Sequence, residues 1–560
     1  MHILLIFLTF IIGISGEDGD EQYVEAIVIN HRLFFKENQT SDPVEIDSLE
    51  EKHFFQGMLC LGSDAGGDGY WWSENSNFLA YVSIDMRSAE TVSWNIYKDK
   101  QPYPDIIQQH YWKTFKDFPP YEISIWNSKS KKVQRVDFEK FKYNNGTSYF
   151  VSEGHVIKLE NKQKLLLHLT TKYWNERVLI SCDFETTECE KLFEYKYEYK
   201  RYINRLHKPM QIHQNRLFLL LPLNFEKENN SYNQIASYPV NVTSSEPRFE
   251  MKEPYDVLEF EIYDNSTISF FAFSRSPFVN DTLEMEIGSN EKPKCVVCQQ
   301  LITDEFLQYG NVSLGNGYEG LYKIYFPKNL THRKVPLFVD VYGGPGSIAV
   351  MMSDYDNDER MRDYSTGYNQ FVRLHIDGRG IERRGWKYRS AQFGKLGTID
   401  AQDQITVIQY ILRKYADILD ENRVLVSGWS YGGFMALAMT EQAPKGFFKC
   451  AISGAPVTNY MYYYNHYTLT FMGNATINKY LDVTDNLENF RTTRLLLLHG
   501  MADDNVHFQN SAILIEKLHK AKIDFDLMVY PNSSHHADSK LKQSTFIRDC
   551  LYSYQYPPKI

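Results

Sequence analysis

Three things are scarce in this chain of 560 residues, and each scarcity narrows what it can do. Positive charge is in deficit: 60 Lys and Arg face 71 Asp and Glu, a formal net charge of −11. No basic cluster offsets that balance, so nucleic acid is not an expected partner. Long apolar runs are missing after the first residues. The opening run from Ile3 to Ile12 is itself shorter than the roughly 20 residues a membrane-spanning helix needs. Cysteine is sparse, seven in all, and Cys295-Val296-Val297-Cys298 has neither a second CxxC nor a nearby histidine pair to complete a zinc site. No metal or organic cofactor is expected.

What is present is a core-forming composition, 43% hydrophobic, 23% charged and 15% aromatic, in a chain long enough for two or three domains. The opening run ends in Gly13-Ile14-Ser15-Gly16 before acidic Glu17-Asp18, which suits a cleaved signal peptide over 1–16 despite the lack of Lys or Arg ahead of it. Sequons at Asn38, Asn145, Asn229, Asn241, Asn265, Asn280, Asn311, Asn329, Asn474 and Asn532 also suit a glycosylated, exported protein. Cysteine usage fits an oxidising compartment. Cys182 and Cys189 flank a short hairpin, Cys295 and Cys298 form a tight pair, and Cys60 is left over.

Chemistry concentrates at Gly428-Trp429-Ser430-Tyr431-Gly432. A β-branched run, Arg423 to Ser427, precedes it, and the apolar helix-forming run Gly433 to Met439 follows. A serine on such a strand-to-helix turn is held strained with its hydroxyl above the sheet, and glycines are needed where side chains would collide with the turn. A serine hydroxyl becomes a nucleophile only when a histidine takes its proton and a carboxylate orients that histidine. The strand Arg494–Gly500 leads into a loop with Asp503 and Asp504, and the strand Phe525–Tyr530 leads into a loop with His535 and His536. Ser, Asp and His thus follow in order, each after a strand, where open α/β sheets bind ligands. Sequence chemistry leaves open which aspartate and which histidine serve.

The segments Asp340-Val341-Tyr342-Gly343-Gly344-Pro345-Gly346, Asp377-Gly378-Arg379-Gly380, the elbow, and His499 through Phe508 together resemble the prolyl oligopeptidase clan of serine peptidases, and within it the dipeptidyl peptidase IV subfamily. The resemblance implies Ser430 as nucleophile, Asp503 as orienting acid and His535 as base. It implies an oxyanion hole from the Tyr342 hydroxyl and the Tyr431 N–H. It implies a small aromatic pocket from Val457, Tyr460, Tyr463 and Tyr467, suited to proline or alanine, and Asn505 as donor to a substrate carbonyl. It joins Cys450 to Cys550, suggests a homodimer, and offers a type II signal anchor as the alternative to a cleaved signal.

The N-terminal half reads as short strands, among them Asn77–Ile84, Tyr121–Trp126 and Gln163–His168, separated by polar clusters. The resemblance makes this a β-propeller over 17–300, packed on an α/β-hydrolase domain over 301–560. Fewer residues precede the hydrolase than a full propeller of this subfamily uses, so blades are expected to be missing, mainly before Gly69. The subfamily's paired glutamates, which hold the substrate's N-terminal ammonium, are replaced at the ungapped positions by Leu61 and Gly62. Glu50 and Glu51, after Asp47, are the displaced candidates, with Asp64 and Asp68 weaker ones. The expected activity is release of N-terminal Xaa-Pro or Xaa-Ala dipeptides from peptides with a free N-terminus. The alternatives are an endopeptidase or esterase without amine anchoring, and a non-enzymatic binding protein.

Overall fold

The computed structural model describes residues 25–552 apart from 30–31, 37–40, 47–53, 58–68, 115–117, 145–146, 160–161, 197–209, 241–245, 265, 328–329, 331–333, 353–370 and 474–481. The opening apolar run, Asp47, Glu50, Glu51, Cys60, Leu61, Gly62, Asp64, Asp68 and the sequons at Asn38, Asn145, Asn241, Asn265, Asn329 and Asn474 lie outside the described residues. Among the described residues no helix is long and apolar enough to cross a membrane.

Before Leu307 the described chain forms five successive antiparallel sheets and one separate hairpin. The first sheet has three strands between Glu25 and Glu45, the second five between Phe54 and Arg135, and the third five between Tyr143 and Lys196. The fourth and fifth have four each, over Gln211–Phe249 and Asp256–Val297. Side chains alternate between the faces of a strand, and here each face packs on a different neighbour. In Lys162–Thr171, Leu165, Leu167 and Leu169 join Val82, Ile84 and Ile123 of the second sheet. Leu166, between them, joins Leu217 and Leu219 of the fourth sheet. Phe218 and Leu220 in turn pack on Phe260 and Phe270 of the fifth. This face-to-face succession of meanders is propeller packing.

The second body is an eight-stranded sheet. We number its strands β1 (Leu307–Gly315), β2 (Tyr318–Tyr325), β3 (Val335–Asp340), β4 (Val372–Asp377), β5 (Leu419–Trp429), β6 (Cys450–Gly454), β7 (Arg494–Gly500) and β8 (Asp526–Tyr530). Their order is β1-β2-β4-β3-β5-β6-β7-β8, antiparallel as far as β2–β4 and parallel beyond. Parallel strands covered on both faces are continuously apolar, and Leu495 to Leu498 of β7 are fully buried. Helices α1 (Ile399–Lys414), α2 (Tyr431–Gln442), α3 (Asn465–Met472), α4 (Gln509–Lys520) and α5 (Lys540–Tyr552) pack around this sheet. Every residue of α2 from Tyr431 to Thr440 is buried. A Cys450–Cys550 disulfide ties β6 to α5, and Cys182–Cys189 and Cys295–Cys298 are also closed.

Several contacts join the bodies. On one side the Arg384–Lys387 turn meets the propeller. Gly385 N donates to Asp256 (2.9 Å), Lys387 N to Asn230 (2.8 Å) and Trp386 Nε1 to Asn233 (3.0 Å). On the other, the hairpin Thr91–Ile96 and Asp105–His110 reaches the loop after β8. There Tyr97 N donates to Asn532 Oδ1 (2.8 Å), and Asn532 Nδ2 donates to Tyr97 O (2.7 Å).

Candidate active site

Ser430 sits between β5 and α2 with φ 61° and ψ −120°, a sparsely populated backbone state costing on the order of 1–3 kcal/mol for a residue with a side chain. Contacts on both sides hold it there. Ser430 N donates to Gly454 O at 2.8 Å. A Cβ on Gly432 would lie 2.3 Å from Val341 O, one on Gly428 2.3 Å from the Gly432 carbonyl, and one on Gly433 2.5 Å from Gly454 O. The elbow is thus wedged between the chain leaving β3 and the end of β6, and glycine is required by backbone on each side.

The loops after β7 and β8 meet beside it. Gly500 lets the β8 loop pass, since a Cβ there would lie 2.2 Å from Ser533 O. Ala502 N donates to that same Ser533 carbonyl, and Trp429 Nε1, next to the nucleophile, donates to His535 O at 2.9 Å. Asp503 is 1% exposed. Its Oδ1 accepts from Asn505 N (3.0 Å) and Val506 N (2.9 Å), and its Oδ2 from His535 Nδ1 (2.8 Å) and His499 Nε2 (3.1 Å). Burial opposes its ionisation, but the hydrogen bonds and charge of His499 and His535 outweigh burial and hold it down to about 2. An ionised Asp503 keeps the proton of His535 on Nδ1, leaving Nε2 as the base. Asp504 and His536 are both exposed. Of the two aspartates and two histidines in these loops, Asp503 and His535 are thus the buried, paired ones.

Around the elbow stand the other residues read from the sequence. Tyr342 follows β3, with its ring centroid 6.0 Å from that of Tyr431. Tyr431 N opens α2, where backbone N–H groups lack helical acceptors. Tyr460 and Tyr467 stack 5° from parallel, Tyr463 meets Tyr467 edge-on at 5.3 Å, and Phe434 closes on Tyr460 at 5.3 Å. Val457 is buried. Asn505 is oriented from two sides: Tyr463 Oη donates to its Oδ1 (2.8 Å), and Tyr111 of the propeller donates to its carbonyl (3.1 Å). A serine on a strained elbow, a histidine–aspartate pair, a helix N-terminus and a cluster of tyrosine rings thus come together, an arrangement capable of acyl transfer.

The Prolyl oligopeptidase family model matches residues 363–553, and that of the Dipeptidyl peptidase IV (DPP IV) N-terminal region matches 28–320. Dipeptidyl peptidase family member 1 of Caenorhabditis elegans is 34% identical over 567 residues, covering 87% of this chain and 69% of that relative. The chain belongs to the dipeptidyl peptidase IV branch of the prolyl oligopeptidase family. Prolyl endopeptidase FAP of Bos taurus is 25% identical, covering 91% of this chain and 75% of its own. Venom dipeptidyl peptidase 4 of Vespula vulgaris is 35% identical, covering 39% of this chain and 29% of its own. The crystal structure of Porphyromonas gingivalis dipeptidyl peptidase 4 superposes with a TM-score of 0.80 at 18% identity, covering 95% of this chain and 82% of that one, a likeness of fold. A serine peptidase of this family is what the converged site is built to be.

Four members of this peptidase site escaped the sequence reading. His499 is fully buried, with Nδ1 2.6 Å from Ser511 Oγ and Nε2 shared between Asp503 and Val506 O. Its signal was a histidine four residues before the acid. Asp400, at the start of α1, accepts from Tyr431 Oη at 2.7 Å. Burial outweighs that bond and raises the Asp400 carboxyl to about 6. Tyr111 and His507 pack with ring centroids 4.2 Å apart. His507 is buried, and burial, then the Lys113 cation, lower its imidazole to about 4. Of the described sequons, Asn229, Asn311 and Asn532 are exposed and Asn280 is half-buried.

Proposed function

We propose that this peptidase releases N-terminal dipeptides with proline or alanine in second position from peptides bearing a free amino terminus. The buried His535–Asp503 pair beside the strained Ser430 elbow carries the reading. In it, Ser430 Oγ attacks the carbonyl carbon of the second residue while His535 Nε2 takes the hydroxyl proton. The oxyanion is met by Tyr342 Oη and Tyr431 N. As the scissile C–N bond breaks, His535 returns the proton to the leaving amine, and a water activated by the same imidazole hydrolyses the acyl-enzyme. The aromatic pocket of Val457, Tyr460, Tyr463 and Tyr467 suits a short or cyclic side chain, and Asn505 supplies the donor for the preceding carbonyl. Relatives named dipeptidyl peptidase support the exopeptidase reading. Glu50 and Glu51 are the proposed amine anchor.

The test is steady-state hydrolysis of Gly-Pro-aminocoumarin beside its N-acetylated form, with Ser430→Ala as control. Cleavage of the free-amine substrate alone, lost in the control, is the expected result. Cleavage of both would replace the exopeptidase with an unanchored endopeptidase or esterase, and turnover of neither by folded protein would overturn the enzymatic reading. We further propose that the protein is exported and glycosylated, on the strength of the sequons, the disulfides and the opening apolar run, and that it is a homodimer, as the family resemblance suggests. Fractionation into medium and carbonate-washed membranes separates a secreted form from a type II anchored one. Light scattering reads the oligomeric state.

A further inference from the structure

The seam between the third and fourth propeller sheets holds a cluster that peptidase chemistry does not use. Glu153 and His155 are two residues apart on the strand Thr147–Leu159, and so share a face. His168, on the adjacent antiparallel strand, is the register partner of Glu153 and projects to that same face. His155 Nε2 lies 3.1 Å from Glu153 Oε1, the two imidazole centroids are 5.6 Å apart, and one ligand atom from each of the three residues lies within 4.8 Å of the other two. His168 is 1% exposed, yet neither of its ring nitrogens has a hydrogen-bond partner. An imidazole enclosed this way forfeits its hydration with nothing in return, a cost that native interiors ordinarily avoid.

We propose that Glu153, His155 and His168 bind one zinc-class divalent ion in this seam. Two imidazoles and a carboxylate form a borderline-soft, three-ligand set that suits zinc, cobalt, nickel or copper and is poor for magnesium or calcium. Ligand atoms around a tetrahedral zinc at about 2.1 Å stand about 3.4 Å apart. The Glu153–His155 pair is near that spacing already, and the His168 ligand atom lies within 4.8 Å of both.

Beside His155 the seam opens into a cavity of about 320 Å³ lined by Glu74, Lys158, Leu166, Met210, Ile212 and Leu217. It offers the ion an approach and its fourth ligand, a water, room to sit. Arg177, paired with Thr170 on the next strand, opposes a dication, while the Glu153 carboxylate offsets it. The ion is therefore held more weakly than in a closed four-ligand site. Bound there, it clamps the two strands of the long hairpin to each other.

The experiment uses the full chain, stripped with EDTA and dialysed against micromolar zinc chloride, with retained metal counted by mass spectrometry. One zinc per chain is expected, falling to none in both Glu153→Gln and His155→Ala. These side chains are half-exposed, so the variants should keep wild-type peptidase activity and metal-free melting temperature. Zinc should raise the melting temperature of the wild type and of neither variant. No retention by the wild type, or a full equivalent retained by both variants, overturns the proposal. A cobalt-loaded sample adds an independent readout: visible bands of four-coordinate Co²⁺ support the site, and their persistence in His155→Ala refutes it.

Discussion

Replacing Asp503 by asparagine tests whether one carboxylate organises the whole site. Both carboxylate oxygens are in use, Oδ1 by two backbone N–H groups and Oδ2 by two imidazoles. Asparagine has one acceptor oxygen. The backbone donors after β7 fix that oxygen at the Oδ1 position, because they cannot move without breaking the loop. The amide NH₂ then faces His535 Nδ1 and His499 Nε2. His535 can meet it only as the opposite tautomer, with its proton on Nε2, where it cannot act as a base. We expect kcat to fall about 10⁴-fold, equivalent to about 5.5 kcal/mol of transition-state stabilisation. Loss of two hydrogen bonds to a charged acceptor should also lower stability by about 3 kcal/mol. Asp504→Asn, at an exposed neighbour, should stay within a few-fold of wild type. The assay is kcat and KM on Gly-Pro-aminocoumarin, with thermal melts to show that each variant is folded. Activity of Asp503→Asn within tenfold of wild type, or an equal loss in Asp504→Asn, would refute the reasoning.

Four further outcomes follow from the described contacts. Tyr342→Phe removes one proposed oxyanion donor and should lower kcat by about 10²-fold or more with little change in KM, measured on the same substrate. Tyr463→Phe frees the Asn505 amide from its 2.8 Å bond. A loss of about 1 kcal/mol should appear as a roughly fivefold rise in KM with kcat held. His507 is neutral in the folded state down to about 4 against 6.5 for the free group. The unfolded chain therefore takes up a proton that the folded one refuses. Stability present above pH 6.5 should fall by about 3 kcal/mol as pH drops to 4, and urea titrations of His507→Phe should show that much less acid sensitivity. Removing the Cys450–Cys550 bridge, which closes a sequence separation of 100, should cost roughly 3–5 kcal/mol in denaturant unfolding of the double alanine variant.

Local order made much of this fold legible. The elbow was readable because strand, turn and helix are contiguous there. The run expected over Arg423 to Ser427 lies within β5, with Val424 to Ser427 buried. Strands expected at Asn77–Ile84, Tyr121–Trp126 and Gln163–His168 occur at Phe78–Asp85, Tyr121–Asn127 and Lys162–Thr171. Residue chemistry alone did not separate Asp503 from Asp504, and only the family resemblance did, because neighbouring loop aspartates differ only in what the fold buries. His499 was hidden for a related reason: at the end of an apolar strand it reads as core, and its role depends on a loop returning to it. Tyr111 and Asn505 are far apart in the chain and on different bodies, so no local pattern links them. The Glu153, His155 and His168 cluster follows from alternation on two paired strands, and becomes visible only once their register is known.

The Tyr97–Asn532 pair gives the two bodies a mechanical linkage. Asn532 is three residues before His535 on the same short loop, and its amide is held at both ends by the backbone N–H and carbonyl of one hairpin residue, Tyr97. Parting the hairpin from the hydrolase pulls on the segment that carries the base. Opening wide enough to admit a bulky chain at that side and keeping the imidazole in register are therefore competing demands. An oligosaccharide on Asn532 would tighten the conflict, since it leaves its nitrogen a single N–H for the Tyr97 carbonyl. The contact between the bodies and the placement of His535 thus depend on the same few atoms.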